Sequence, residues 1–135
     1  MGVRESILVV EDEVQVLSLV VELLRLEGYD VSSTWDPDEA IRIARVHPGP
    51  LHLLLTDLVM PVMTGQELAT EIRAIHPELR VLFMSAYGIA IAEEYLVRLA
   101  PGEPFLGKPF TIAGLERTVR AALDYRAPPP GRGSQ

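Results

Sequence analysis

The segment order predicts an α/β protein: a doubly wound parallel sheet with helices on both faces, a three-layer sandwich. Two observations carry this. Strand-like and helix-like segments alternate along the chain, as parallel strands joined by helical crossovers do. The runs Ile7-Leu8-Val9-Val10 and Leu51-His52-Leu53-Leu54-Leu55-Thr56 are near-continuously apolar, the mark of strands buried on both faces. The pattern reads as five strands and five helices, and right-handed crossovers distribute the helices over two layers.

The elements follow in order. After the first strand, Val14, Leu17, Val21 and Leu24 recur at helical spacing, and Gly28 is the stop signal. Asp30 to Trp35 forms a short second strand. Asp36-Pro37-Asp38-Glu39 supplies an N-cap, a proline at the first helical position and acid in the first turn, so a helix starts there and ends near His47-Pro48. The third strand is bounded by Pro50 and Pro61 and leads into Asp57. Thr64-Gly65-Gln66-Glu67 is a capping box opening a helix with Leu68, Ile72 and Ile75 on one face, ended by His76-Pro77. Arg80 to Ser85 is the fourth strand, Ile89 to Leu99 a helix of less regular amphipathicity, and Pro104 to Leu106 a short fifth strand. The last helix runs from Thr111 with Ile112, Leu115, Val119 and Ala122 in register.

Composition excludes several classes. A chain of 135 residues, 48% hydrophobic and 23% charged, is an ordinary globule with room for one core. No apolar stretch is long enough to span a bilayer, and Met1-Gly2-Val3-Arg4-Glu5 is neither a signal peptide nor a myristoylation site. The absence of cysteine removes disulfides, thiolate catalysis and cysteine-based zinc sites. The expected compartment is the cytosol. A net charge of −7 without an arginine cluster argues against nucleic acid as a direct partner.

Function is written at the strand ends. Glu11-Asp12-Glu13 follows the first strand, Asp57 the third, Ser85 the fourth and Lys108 the fifth. Open parallel sheets bind ligands beyond the carboxyl ends of their strands. Gathering acids there is costly unless a cation or a reaction uses them. Of 12 basic residues Lys108 is the single lysine, in the setting Gly107-Lys108-Pro109-Phe110. Against arginine elsewhere, a compact ammonium here points to a dedicated role. Three carboxylates suit a hard, oxygen-seeking cation, for which magnesium is the natural choice and manganese the alternative. A lysine and a hydroxyl suit phosphoryl oxygens. The chemistry implied is phosphoryl transfer onto or past a carboxylate.

Val9-Val10-Glu11-Asp12-Glu13, Thr56-Asp57-Leu58-Val59-Met60-Pro61 with Gly65, Met84-Ser85-Ala86 and Lys108-Pro109-Phe110 together resemble the receiver domain of two-component response regulators. The resemblance runs from about Ser6 to Tyr125, with the motifs in the family's order and spacing. It implies a flavodoxin-like sheet of strand order 2-1-3-4-5. It also implies that Asp57 is the phosphoacceptor, taking its phosphoryl group from a histidine kinase or a histidine phosphotransfer domain. On the same resemblance Asp12 would bind magnesium directly and Glu11 through water, with Asp57 and the backbone carbonyl of Val59 as further ligands. Lys108 would pair with phosphoryl oxygens, and Ser85 would donate its hydroxyl to them. Phe105 would be the aromatic switch, and Val59 and Tyr87 would tune phosphoryl lifetime. The output face implied comprises the fourth helix, fifth strand and fifth helix. The family more often carries aspartate at the position of Glu11, where a longer side chain loosens the metal slightly. The domain reading is a lead over residues 1–5, the receiver over 6–126, and a disordered Pro/Gly-rich tail or truncated linker over 127–135.

Plainer readings apply to single residues. Glu11-Asp12-Glu13 alone could be a solvated strand exit beside a helix N-terminus, and Ser85 alone a strand-end hydroxyl. His47, His52 and His76 read as structural, and Trp35 as packed at the sheet rim. Phe105 apart from Lys108 could be core. The whole reads as a signalling relay, monomeric or weakly dimeric on phosphorylation, rather than a metabolic enzyme. It is either a single-domain regulator or the receiver of a hybrid sensor kinase. One rival is a magnesium-dependent phosphatase or phosphotransferase working through an aspartyl phosphate. Such enzymes want an acid two residues after the nucleophile, where this chain has Val59. The other rival is a pseudo-receiver adaptor that binds partners without phosphorylation, against which the intact acids and Lys108 weigh.

Overall fold

The computed structural model describes residues 4–86 and 102–126. Five strands, β1 (Ser6–Val10), β2 (Asp30–Thr34), β3 (Leu53–Asp57), β4 (Arg80–Ser85) and β5 (Leu106–Gly107), are all parallel, in the order β2-β1-β3-β4-β5. This is the flavodoxin-like order expected. The described helices are α1 (Val14–Leu26), α2 (Pro37–Val46), α3 (Gly65–Arg73) and a C-terminal helix (Ile112–Asp124). The helix expected over Ile89 to Leu99, Tyr87, the tail 127–135 and the first three residues of the lead lie outside the described residues.

Strand alternation sends neighbouring residues to opposite faces, and the sheet separates two cores. Leu8, Val10, Leu54 and Phe83 pack with Ala40 and Ala44 of α2 and Leu68 and Ile72 of α3. Ile7, Val9, Leu53, Leu55, Leu82 and Met84 pack with Val20 and Leu24 of α1 and with Leu115, Val119 and Ala122 of the C-terminal helix. Each fully buried aliphatic side chain contributes roughly 1.5–3 kcal/mol. These two layers therefore offset the cost of crowding acids at one sheet edge.

The helix starts form as their sequences dictate. Asp36 accepts the Asp38 N–H with Pro37 at the first helical position. Thr64 and Glu67 complete a reciprocal capping box, at 3.1 and 2.9 Å. Thr111 accepts the Gly114 N–H. Gly28 ends α1 at φ +96°, a conformation that suits glycine.

Three expectations shift. β2 stops at Thr34, where the Glu11 N–H takes the Thr34 carbonyl and the Thr34 hydroxyl accepts the Asp36 N–H. The chain turns there into α2, and Trp35, expected to pack at the rim, is 62% exposed instead. α3 ends at Arg73 rather than beside His76, because Ile75 N–H closes a tight turn onto Ile72 O. β5 occupies Leu106–Gly107 rather than beginning at Pro104, since its register is set by pairing with Met84 and Ser85.

The histidines are structural, as read. His76 Nε2 lies 2.8 Å from Ala44 O and so links the ends of α2 and α3, with the His47 ring edge-on to it. His52 Nδ1 accepts the Ser6 N–H. Among the described residues no helix is long and apolar enough to cross a membrane.

Candidate functional site

Because every strand is parallel, their carboxyl ends share one edge of the sheet. Glu11 and Asp12 leave β1 there, Asp57 ends β3, Ser85 ends β4, and Lys108 follows β5. The ladder continues past the strands: Leu58 N–H donates to Met84 O at 2.9 Å and Lys108 N–H to Ser85 O at 3.0 Å. The start of each loop is thereby fixed by backbone bonds. The Lys108–Pro109 peptide is cis.

The side chains converge. Lys108 Nζ lies 2.7 Å from Asp57 Oδ1, 2.7 Å from Glu11 Oε1 and 3.8 Å from Glu13 Oε1. Glu11 is fully buried, and its Oε2 accepts the Glu13 N–H at 2.9 Å. Asp57 is 4% exposed and opens onto a cleft of about 210 Å³ lined by Asp12, Glu13, Val59, Met84, Ser85, Ala86 and Lys108. Phe105, three residues before Lys108, is partly buried against the core on the α2 and α3 side. Tyr87 lies outside the described residues.

The electrostatics are those of a crowded acidic site. Burial first, and then contact with Glu11, push the Asp57 carboxyl up to about 8, while Lys108 pulls it back. Burial alone would lower the Lys108 ammonium, but Asp57 and Glu11 together hold it above its ordinary value. One ammonium does not balance this group of acids.

The donor set fits a divalent cation. Glu11, Asp12 and Asp57 each offer an oxygen, and these atoms lie within 4.8 Å of one another. Asp57 Oδ2 is enclosed and accepts no hydrogen bond from the described residues, whereas the equally enclosed Glu11 Oε1 faces the Lys108 ammonium at 2.7 Å. An enclosed anionic oxygen without a donor is expensive, and hard oxygen ligands are what magnesium takes.

Two residues near the site had no role assigned from sequence. Glu13 faces Lys108 across 3.8 Å and was visible as the third member of an acidic triplet. Thr56 lies fully buried beside Asp57 and donates its hydroxyl to Asp57 O at 3.1 Å. Its signal was a polar residue closing an apolar run.

Residues 7–120 match the family described as the response regulator receiver domain. The chain is 34% identical over 122 residues to the sensor kinase CckA of Brucella abortus (strain 2308), covering 88% of this chain and 12% of that protein. To the response regulator receiver protein CpdR of the same organism it is 32% identical over 119 residues, covering 88% of this chain and 97% of CpdR. The crystal structure of the receiver domain from hybrid histidine kinase CckA superposes with a TM-score of 0.73 at 34% identity, covering 88% of this chain and 99% of that one. The chain belongs to the response regulator receiver domain family. It is therefore a receiver module of two-component signal transduction, spanning 12% to 50% of the length of the first curated relatives it matches.

Proposed function

We propose that this chain accepts a phosphoryl group on Asp57 from the phosphohistidine of a histidine kinase or histidine phosphotransfer domain. The observation that carries the reading is the Lys108 ammonium 2.7 Å from Asp57 Oδ1, with the other Asp57 oxygen unpaired at a cleft shared with Asp12. An Asp57 carboxylate oxygen attacks phosphorus. The P–N bond to the donor imidazole breaks as the P–O bond forms, and its electron pair stays on the leaving nitrogen. With the ring's other nitrogen already protonated, the donor departs as neutral imidazole. Lys108 exchanges part of its contact with the acids for a charge-assisted bond to a phosphoryl oxygen, and the Ser85 hydroxyl donates to another. Asp12, Asp57, the Val59 carbonyl and Glu11 would hold magnesium, which would supply positive charge to the phosphoryl oxygens.

The rim of the cleft suits a protein donor. Val16, Leu19, Pro109 and Phe110 line an apolar groove of about 360 Å³ that shares Glu13, Ala86 and Lys108 with the cleft. A helix bearing the phosphohistidine can lie there while its imidazole reaches Asp57. Ser85 and Phe105 then form the switch, carrying the new dianion's effect to a surface that includes β5 and the C-terminal helix. Val59 is 48% exposed and apolar. It cannot orient a hydrolytic water, so the aspartyl phosphate is long-lived, with Tyr87 as the second tuning position. An apolar residue two positions after the nucleophile also disfavours a turnover phosphatase, which needs an acid there.

The test is intact-mass analysis after incubation with acetyl phosphate and magnesium. Wild type gains one phosphoryl group and Asp57→Asn gains none; equal labelling of both would overturn the assignment. Followed over time, Val59→Asn loses the group faster than wild type, and equal or slower loss would refute the lifetime role.

A further inference from the structure

The loop after the phosphoacceptor is closed by contacts that do not involve the cleft. Leu58 O accepts the Gly65 N–H at 2.8 Å, bringing the start of α3 back to the end of β3. A Cβ on Gly65 would sit 2.2 Å from Asp57 O, so the first residue of α3 rests on the nucleophile's own carbonyl. That carbonyl accepts the Thr56 hydroxyl at 3.1 Å, and the same hydroxyl lies 3.8 Å from Met60 Sδ.

Thr56 is fully buried, paired in register with Val10 and Phe83, both members of the apolar core under α2 and α3. Alternation puts it on the face of Leu54 and Leu58, opposite the Asp57 side chain. A valine would fill this space. A hydroxyl kept in apolar surroundings must be hydrogen-bonded, and its bond to Asp57 O answers that need. Its two partners bracket Leu58 and Val59: the carbonyl of Asp57 precedes them, the thioether of Met60 follows them.

We propose that Thr56 is a positioning residue for the phosphoacceptor loop. Its hydroxyl fixes the orientation of the Asp57–Leu58 peptide. Through that peptide it sets both the Asp57 carboxylate and the Val59 carbonyl, two groups assigned above to the same ion. The inference rests on that assignment. It concerns a side chain on the far face of the sheet, which touches neither the phosphoryl group nor the metal.

Thr56→Val and Thr56→Ser separate the hydroxyl from the volume. The readouts are magnesium affinity by calorimetry, acetyl-phosphate labelling at saturating magnesium, and thermal unfolding. Outer groups that orient ligands are typically worth 10–100-fold in metal affinity, so Thr56→Val is expected to bind magnesium about tenfold more weakly, and to label more slowly, with a melting temperature at or above wild type. Thr56→Ser keeps the hydroxyl and retains affinity within about twofold of wild type, a small fraction of that outer-group effect. Wild-type affinity in Thr56→Val overturns the inference, as does equal loss in both variants, which would make the methyl group the cause. If Thr56→Val fails to fold, Thr56→Ser against Thr56→Ala carries the same comparison. A wild type that binds magnesium and labels on Asp57 while Thr56→Val matches it sinks only this inference. A wild type that does neither sinks the function it rests on.

Discussion

The two loops that bring acids to the sheet edge are built on opposite plans. Between β1 and α1 the chain needs only Glu11, Asp12 and Glu13, and no side chain of Glu13 caps the helix. The Glu13 N–H is satisfied by the buried Glu11 carboxylate. Between β3 and α3 the path is longer. It includes Val62, a β-branched residue at φ +78° and 93% exposed, and it ends in a complete capping box. A β-branched residue held in the left-handed region costs on the order of 1–3 kcal/mol and persists only where its surroundings fix it. The first loop is held by charge, the second by shape. A site that must place a nucleophile needs the second kind, while ligands that follow an ion can be carried by the first.

If shape governs the second loop, Gly65→Ala should have the largest effect. The new Cβ would overlap the Asp57 carbonyl at 2.2 Å, and the atom it meets is backbone that cannot swing aside. Overpacking of this kind costs about 3 kcal/mol, read from the denaturant midpoint, and should abolish acetyl-phosphate labelling even where the variant folds. A loss below about 1 kcal/mol, the lower end for overpacking, with labelling intact would mean that the loop yields, and the contrast between the loops would fail.

Charge governs the next largest effect. Asp57→Asn removes one of three crowded carboxylates whose ionisation burial opposes. In metal-free buffer the variant should be more stable than wild type by on the order of 1–2 kcal/mol, because crowding and desolvation outweigh the lost contact with Lys108. Saturating magnesium should stabilise wild type more than the variant and narrow the gap. A variant less stable than wild type in metal-free buffer would mean that the ion pair, not the repulsion, dominates this edge.

The same division decides what could be read from the sequence. The sheet order, the caps at Asp36, Thr64 and Thr111, and the meeting of Glu11, Asp12, Asp57, Ser85 and Lys108 were legible. They depend on apolar periodicity, capping chemistry and parallel strands sharing an edge. Trp35 was misplaced because a strand's last residue depends on where its partner's ladder stops, here at the Glu11 N–H to Thr34 O bond. β5 was misplaced for the same reason, since its bounds come from pairing with β4. Thr56 carried no chemical motif, and its role appears only once the peptide it bonds to is known. The strain at Val62 is equally silent, since valine carries no turn signal.

A control at the opposite end of β1 isolates what exposed charge alone is worth. Arg120 of the C-terminal helix grips Glu5 with two 2.9 Å contacts and Asp124 with another, all partly exposed. The hydrogen bond from Arg120 holds the Glu5 carboxyl below its ordinary value against a smaller upward push from burial. With the folded value depressed, the unfolded chain takes up its proton first as pH falls. The stabilisation is therefore complete above the unfolded value of about 4.5 and is lost as pH drops through the lower folded one. Solvent screening limits such a pair to less than about 1 kcal/mol. Glu5→Gln should thus cost a few tenths of a kcal/mol at neutral pH, less again in 1 M salt, and nothing at a pH well below 4.5. Chemical denaturation of both proteins across that range measures it. A Glu5→Gln cost as large as the Asp57→Asn gain, and insensitive to salt, would show that burial is not what distinguishes the acidic edge from an ordinary surface ion pair.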